Sequence, residues 1–316
     1  MAATKIYQPQ RGIIDWRSYK DVYDKSFDVM RLKKDKVPRE GAQFYSVEDT
    51  NLETLKIGEV TNSMQVPLRN NDADAIPLVA PLEGYNKTFT NYQRRLGFIV
   101  TRQAIEAQKT RMITSMITGL PNSAAKLEEM LYASLFNGGF ASDTTGDGSY
   151  IFATDHYYED PQYGTWSNTP ASGSSFTTES YNEAWLSFQL RKGSSGTPEP
   201  KNPKYVYANP TMAEAIMKVK GSSQYPQNSL NAKMPAYMNA FEYVPGHWIT
   251  DTTAWFVIAD DEQSEKGFVM VWQTRPEYES ISNSMNPDLV MGKRLRMSCS
   301  VGAVNGRSYY GNGGAS

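Results

Sequence analysis

The sequence predicts an α+β protein with a long extended arm, on three observations. Residues 51–100 alternate apolar and polar side chains on both sides of a polar tip, as two β-strands would. Residues 101–137 carry an apolar stripe at helical spacing. Residues 177–301 mix helical segments with short β-branched and aromatic runs, and end in a strand that alternates cleanly. The arm is the most informative of the three, because it does not read as part of a compact domain.

The N-terminal unit, 1–50, places Trp16, Tyr19, Tyr23, Phe27 and Met30 on one helical face. Its first 40 residues hold ten Lys/Arg against six Asp/Glu, so the rest of the chain is net acidic. Such a basic run is either a solvated face or an arm turned toward a polyanion or the acidic body of a neighbour. In the extended segment Val60, Met64, Val66 and Leu68 share one parity; Tyr85, Lys87, Phe89 and Asn91 share another. The tip between them runs from Arg69 to Ala75. A two-stranded ribbon is marginal in water. With this few apolar residues it needs a cover from outside itself, and a second copy of the chain is the simplest candidate.

The helical stretch opens at Thr101-Arg-Gln-Ala-Ile-Glu and continues through Ile105, Met112, Ile113, Met116, Ile117 and Leu120. Pro121 disfavours helix at the residue before it, so a break is expected there, with Asn122 or Ser123 capping a new helix. Leu127, Leu131 and Leu135 continue the stripe to Asn137-Gly138-Gly139, where glycine in a left-handed conformation would close it. Residues 140–175 are rich in loops. Thr177–Lys192 reads as a helix capped by Thr177 or Thr178, with Tyr181, Trp185 and Phe188 on one face. Tyr205–Ala208, Trp255–Ile258 and Phe268–Trp272 read as strands, and Pro210 opens a helix over 211–219. In the last strand Leu295, Met297, Cys299 and Val301 alternate with Arg294, Arg296, Ser298 and Ser300. The tail from Tyr310 reads as loose.

Composition narrows the function classes. The 316 residues are 40% hydrophobic and 21% charged, and the length fits about two domains. A formal net charge of -2 does not mark a nucleic-acid binder. One cysteine rules out an internal disulfide framework. No segment reads as a membrane span or a signal peptide, so a soluble protein that stays in the cell making it is expected. The 20 tyrosines suit protein–protein contacts as well as a core.

The residues point to no catalytic, cofactor-binding or metal site. Asp143-x-Thr145-x-Asp147-Gly148 begins like a calcium loop, but its twelfth position is Thr154, where a bidentate Glu is needed. Asp155-His156 with Glu159 and Asp160 could hold a divalent metal or serve an unrecognised hydrolase, yet the other histidine, His247, is far away. Nucleophile-elbow, Walker and dinucleotide fingerprints are absent. Cys299 on an alternating apolar face is a small core residue.

Taken in order, arm, long loop, spine-like helix, loop-rich hinge, α/β region and return strand resemble the major capsid proteins of tailed bacteriophages, with the Hong Kong 97-type fold. Three stretches carry the resemblance. Thr101-Arg-Gln-Ala-Ile-Glu is similar to the step at the end of the family's long loop. Leu135-Phe-Asn-Gly-Gly139 followed by Gly146-Asp-Gly148 is similar to the end of its spine helix. Phe152-Ala-Thr-Asp-His156, Gly164-Thr-Trp-Ser-Asn168 and Tyr207-Ala-Asn-Pro210 resemble the branch of Mu-like head subunits.

The resemblance implies an N-terminal arm at 1–50, an extended loop at 51–97, a peripheral domain at 98–171 with 287–316, and an axial domain at 172–286. It implies a non-enzymatic shell subunit with no cofactor, assembling through self-contacts into hexamers and pentamers around phage double-stranded DNA. The implied partners are scaffolding protein, supplied separately or from a removed segment, the portal and a decoration protein, with no membrane. The implied location is the virion, after assembly in the bacterial host cytoplasm. An encapsulin-type compartment of the same fold, with a cargo enzyme, is the alternative. Contacts between copies are expected at Arg69, Asp72, Asp74, Lys87, Arg94 and Arg95, unless these only keep the loop soluble. The family's Lys–Asn cross-link is not carried over to Lys87, since no acid nearby is identified to catalyse it.

Overall fold

The computed structural model describes residues 25, 37–61, 82–107, 110–159, 161–193, 197–222, 235–261, 266–281 and 289–314. The predicted helix over 16–30, Lys25 apart, and the tip Arg69–Ala75 lie outside them. The chain forms two compact units. Unit 1 comprises residues 1–38, 93–126 and 276–297; unit 2 comprises 39–92, 127–275 and 298–316.

In chain order the first elements are β1 (Ser46–Asp49), β2 (Thr54–Thr61), β3 (Leu82–Thr90), β4 (Tyr92–Thr101), α1 (Arg102–Glu106) and α2 (Thr110–Gly138). Next come β5 (His156–Tyr157), β6 (Thr165–Trp166), α3 (Thr178–Gln189), β7 (Pro203–Ala208) and α4 (Ala213–Gly221). The last are β8 (Glu242–Pro245), β9 (Trp255–Ala259), β10 (Phe268–Ile281), β11 (Leu289–Ala303) and β12 (Tyr309–Asn312). One sheet has the order β1-β10-β11-β4 and a second β12-β9-β7-β8; β2 pairs with β3 and β5 with β6.

In unit 2 the second sheet is the middle of three layers. The period of two along a strand sends Val206, Ala208, Trp255, Val257 and Ala259 to one face, where α3 and α4 cover them with Tyr181, Phe188, Ile216 and Val219. Tyr207 and Phe256 point the other way, each with its ring 5.0 Å from that of Phe136 on the C-terminal part of α2. The expected cap of α3 is Thr177: its hydroxyl accepts from the Ser180 N–H, and the Ser180 hydroxyl accepts from the Thr177 N–H.

Two local expectations are corrected. Pro121 does not break the helix: α2 is continuous from Thr110 to Gly138 with the proline inside it. Ile117 and Leu120 before it and Ala124 and Ala125 after it are all buried, and this shared burial outweighs the proline's local preference. The tail is also not loose at Tyr310. Residues 309–312 form β12, antiparallel to β9, with Tyr309 and Tyr310 buried. The Tyr309 ring stacks 3.7 Å from Phe268, and its hydroxyl donates to the Phe44 carbonyl at 2.6 Å. The glycine pair ending α2 acts through closeness rather than a left-handed turn. A Cβ on Gly139 would lie 2.6 Å from the Phe152 ring and 2.7 Å from the Leu135 carbonyl. Cys299 is buried, as its strand pattern predicts.

Candidate inter-subunit site

The hairpin of β2 and β3 is held by its own chain at the base. Its register sets Leu55 against Phe89 and Ile57 against Lys87, so these four side chains share one face. Leu55, Ile57 and Phe89 pack on Val269, Val271 and Val304 of unit 2. The expectation that a second copy must cover the hairpin is therefore corrected for its base. Three apolar side chains suffice there because a preformed sheet supplies the matching surface. A Cβ on Gly302 would come within 2.8 Å of the Phe89 ring, so only glycine lets the ring seat this closely.

Polar groups complete the clamp. The Lys87 ammonium donates to the Thr144 carbonyl at 2.6 Å and its hydroxyl oxygen at 3.0 Å. Burial lowers the Lys87 pKa, against the pull of Asp143 and Asp147. The Tyr85 hydroxyl donates to the Tyr158 carbonyl at 3.2 Å. The Glu59 carboxylate pairs with Arg307 at 3.3 Å and accepts from the Asn305 amide at 3.3 Å. Burial raises the Glu59 pKa more than Arg307 lowers it.

Of the six residues expected to meet other copies, Arg69, Asp72 and Asp74 lie outside the described residues. Lys87 is engaged by Thr144 of its own chain in unit 2. Arg94 and Arg95 sit on opposite faces of β4 in unit 1, where the exposed Arg95 donates to the Gln93 side-chain oxygen at 2.5 Å.

The Asp143–Asp147 turn and His156 form a structural knot in unit 2. Asp147 accepts from the Ser149 N–H at 3.0 Å, the Tyr157 N–H at 3.3 Å and the Thr145 hydroxyl, and meets His156 Nδ1 at 2.9 Å. Burial pushes its pKa up, but these bonds outweigh it and the net shift is downward. His156 is 1% exposed, and its Nε2 lies 3.2 Å from both the Ile151 carbonyl and Asn168 Oδ1. Trp166 stacks on the imidazole at 4.4 Å. With both nitrogens engaged and the ring covered, this histidine is not placed to act on a substrate. Among the described residues no three His, Cys, Asp or Glu side chains cluster as metal ligands.

A second anchor went unseen in the sequence. The buried Glu129 carboxylate on α2 accepts the N–H groups of Glu40 and Gly41 at 3.1 and 3.0 Å. Arg39 pairs with Glu128 at 2.6 Å, and the buried Glu40 carboxylate accepts the His247 N–H at 3.0 Å and also meets His247 Nδ1. The chain is thereby pinned to α2 where unit 2 begins. Partners 89 and 207 residues apart leave no local signal.

The family model for phage capsid proteins matches residues 87–311. The chain belongs to the phage capsid protein family. The fold of this capsid protein is the Hong Kong 97 type, as its structural neighbours bear out. The procapsid of bacteriophage JBD30 aligns at 13% identity and TM-score 0.50, over 93% of this chain and 75% of that one. The capsid of a native GTA particle aligns at 11% identity and TM-score 0.50, over 98% and 94%. The capsid of cyanophage P-SCSP1u aligns at 9% identity and TM-score 0.52, over 88% and 90%. A comparison with curated proteins gives no match.

Proposed function

We propose that this capsid protein is the head-shell subunit of a tailed phage, closing as pentamers and hexamers into an icosahedral shell around double-stranded DNA. The family match across residues 87–311 carries the reading. Heterologous contacts that close into rings are the general route to such a shell. In this layout residues 1–50 are the arm and 51–97 the extended loop. Residues 98–171 with 287–316 form the peripheral domain, β12 lending a strand to the axial sheet, and 172–286 form the axial domain. Scaffolding protein and portal act during assembly in the host cytoplasm, a decoration protein joins the finished head, and the product is the virion. Arg69, Asp72 and Asp74 of the loop tip bridge to neighbouring copies, and Arg94 and Arg95 are further contact points; Lys87 steadies the loop's base.

The test is expression alone and together with any scaffolding protein its genome encodes, followed by size exclusion and negative-stain imaging. Closed particles or capsomers are expected, and a clean monomer under every condition refutes the reading. Replacing residues 66–81 with a short Gly/Ser linker should leave the subunit folded and block or distort assembly. Terminase, portal and protease genes alongside distinguish a phage head from an encapsulin-type compartment, which would sit beside a cargo enzyme.

A further inference from the structure

The near-neutral total charge hides a strong partition between the two units. Unit 1 holds 18 Lys/Arg against 9 Asp/Glu, a formal +9. Unit 2 holds 14 against 25, a formal -11, and together these make the chain's -2. The asymmetry does not depend on the N-terminal arm: residues 93–126 with 276–297 alone hold 9 basic against 4 acidic residues.

Part of this charge is gathered on one sheet face of unit 1. A Cβ on Gly97 of β4 would lie 3.4 Å from the Arg294 Cβ of β11, so positions 97 and 294 face the same side. The period of two then puts Arg95 and Ile99 of β4 and Arg296 of β11 on that side. Glu279 of β10 neutralises Arg294, its carboxylate accepting from Nε at 2.6 Å, and the period of two puts the exposed Glu277 on that side too, so the three arginines there outnumber the acids by one. Arg95 and Arg296 are exposed and form no ion pair among the described residues. Four residues beyond Arg95 on the same side of β4, Ile99 is 51% exposed.

We propose that this basic face docks on the acidic unit 2 of a second copy, an inference that rests on the shell reading above. Two observations favour a second copy over nucleic acid. The opposed charges of the two units nearly cancel, so head-to-tail contact leaves an assembly close to neutral, whereas a phosphate-binding face would leave the acid of unit 2 uncompensated. Ile99 also sets an exposed apolar side chain on the same sheet face, which suits a protein surface and gains nothing from phosphate. Charge complementarity of this kind acts on encounter rate and register, and it weakens with salt.

The test compares wild type with Arg95→Glu/Arg296→Glu as full-length chains, with folding checked by circular dichroism. Light scattering follows assembly from 50 mM to 1 M NaCl, and anisotropy follows binding to a labelled random-sequence DNA duplex. Wild-type assembly should slow at least tenfold with salt. The variant should fold and assemble at least tenfold more slowly than wild type at low salt. Arg95→Lys/Arg296→Lys should keep the wild-type rate. Normal assembly by the charge-reversed variant overturns it, and if DNA affinity alone falls, the face belongs to nucleic acid. A wild type that never assembles overturns the shell reading itself, and this inference with it; wild-type particles beside an unaffected variant overturn this inference alone.

Discussion

Truncating Phe89 tests whether the hairpin is held from within its own subunit. The side chain is 2% exposed and packs against Val269, Val271 and Val304. Removing a buried phenylalanine costs about 3–5 kcal/mol. A free two-stranded ribbon is marginal, so the loss falls on the docking of the hairpin. At about 1.4 kcal/mol per decade, the undocked population rises by roughly two to three and a half orders of magnitude. Hydrogen exchange of the unassembled subunit reads this directly. Amides in 54–61 and 82–90 of Phe89→Ala should lose that much protection, or all of it where docking is weaker, while β7 and β9 stay protected. Gly302→Ala supplies the second side of a double-mutant cycle, since its methyl would run into the Phe89 ring. Alone it should cost about 1–3 kcal/mol by overpacking; beside Phe89→Ala it should cost little, because the methyl enters the space the ring leaves. Hairpin protection changing less than about threefold in Phe89→Ala, or strict additivity of the two substitutions, would refute the reasoning.

Three further outcomes are expected. Gly41→Ala drives a methyl to 2.3 Å from the Tyr132 Cβ on α2, and it should destabilise unit 2 by about 1–3 kcal/mol in denaturant melts. Lys87→Met keeps the length but removes the donor to Thr144; about 1–3 kcal/mol should be lost, and the Asp143 carboxyl, now raised by burial without a cation to oppose it, should titrate higher by NMR. Asp147 has its pKa lowered below the ordinary 3.8, so its stabilisation is complete above that value and is lost as the pH falls through the lower folded-state value. Asp147→Asn should therefore be less stable than wild type at pH 7, with the gap closing toward pH 2 in thermal melts.

The fold was legible where local and global forces agree. Thr177 caps α3 and Tyr181, Ala184 and Phe188 line its buried face, so cap and stripe name the same helix. β11 was legible because Leu295, Met297 and Cys299 are buried on one side while Arg294 and Arg296 stay exposed on the other. The misreadings fall where distant burial overrules local preference. Pro121 is a helix breaker on its own, yet buried residues on both sides keep α2 whole. The Gly-rich tail has no stripe, and it becomes a strand because Phe268 and β9 are there to receive it. The candidate site was less legible. The arginines at 94, 95, 294 and 296 are visible as charges, but unit 1 is assembled from three stretches separated by more than fifty residues. Its charge can be added up only once the fold says which stretches belong together.

The self-covered base does not remove the case for contact between copies; it changes what the rest of the loop needs. Phe89 is buried and Leu55 and Ile57 are half-buried against the subunit's own sheet, so the hairpin starts from a fixed origin on its own body. Between the ends of β2 and β3 lie the 20 residues 62–81, including Arg69, Asp72 and Asp74. Half that length, fully extended, spans at most about 33–36 Å, which exceeds the diameter of a small domain. A segment of that reach anchored at a fixed base can meet a neighbouring copy in a constant register, whereas a hairpin free at its root would lose more entropy on every contact it formed. The clamp of Lys87, Glu59 and Phe89 is therefore the feature that would let weak ion pairs at the tip contribute to a shell. Exposed pairs are worth only about 0–1 kcal/mol each, and they matter when the fold has already fixed where the loop begins and each pair is repeated across many copies.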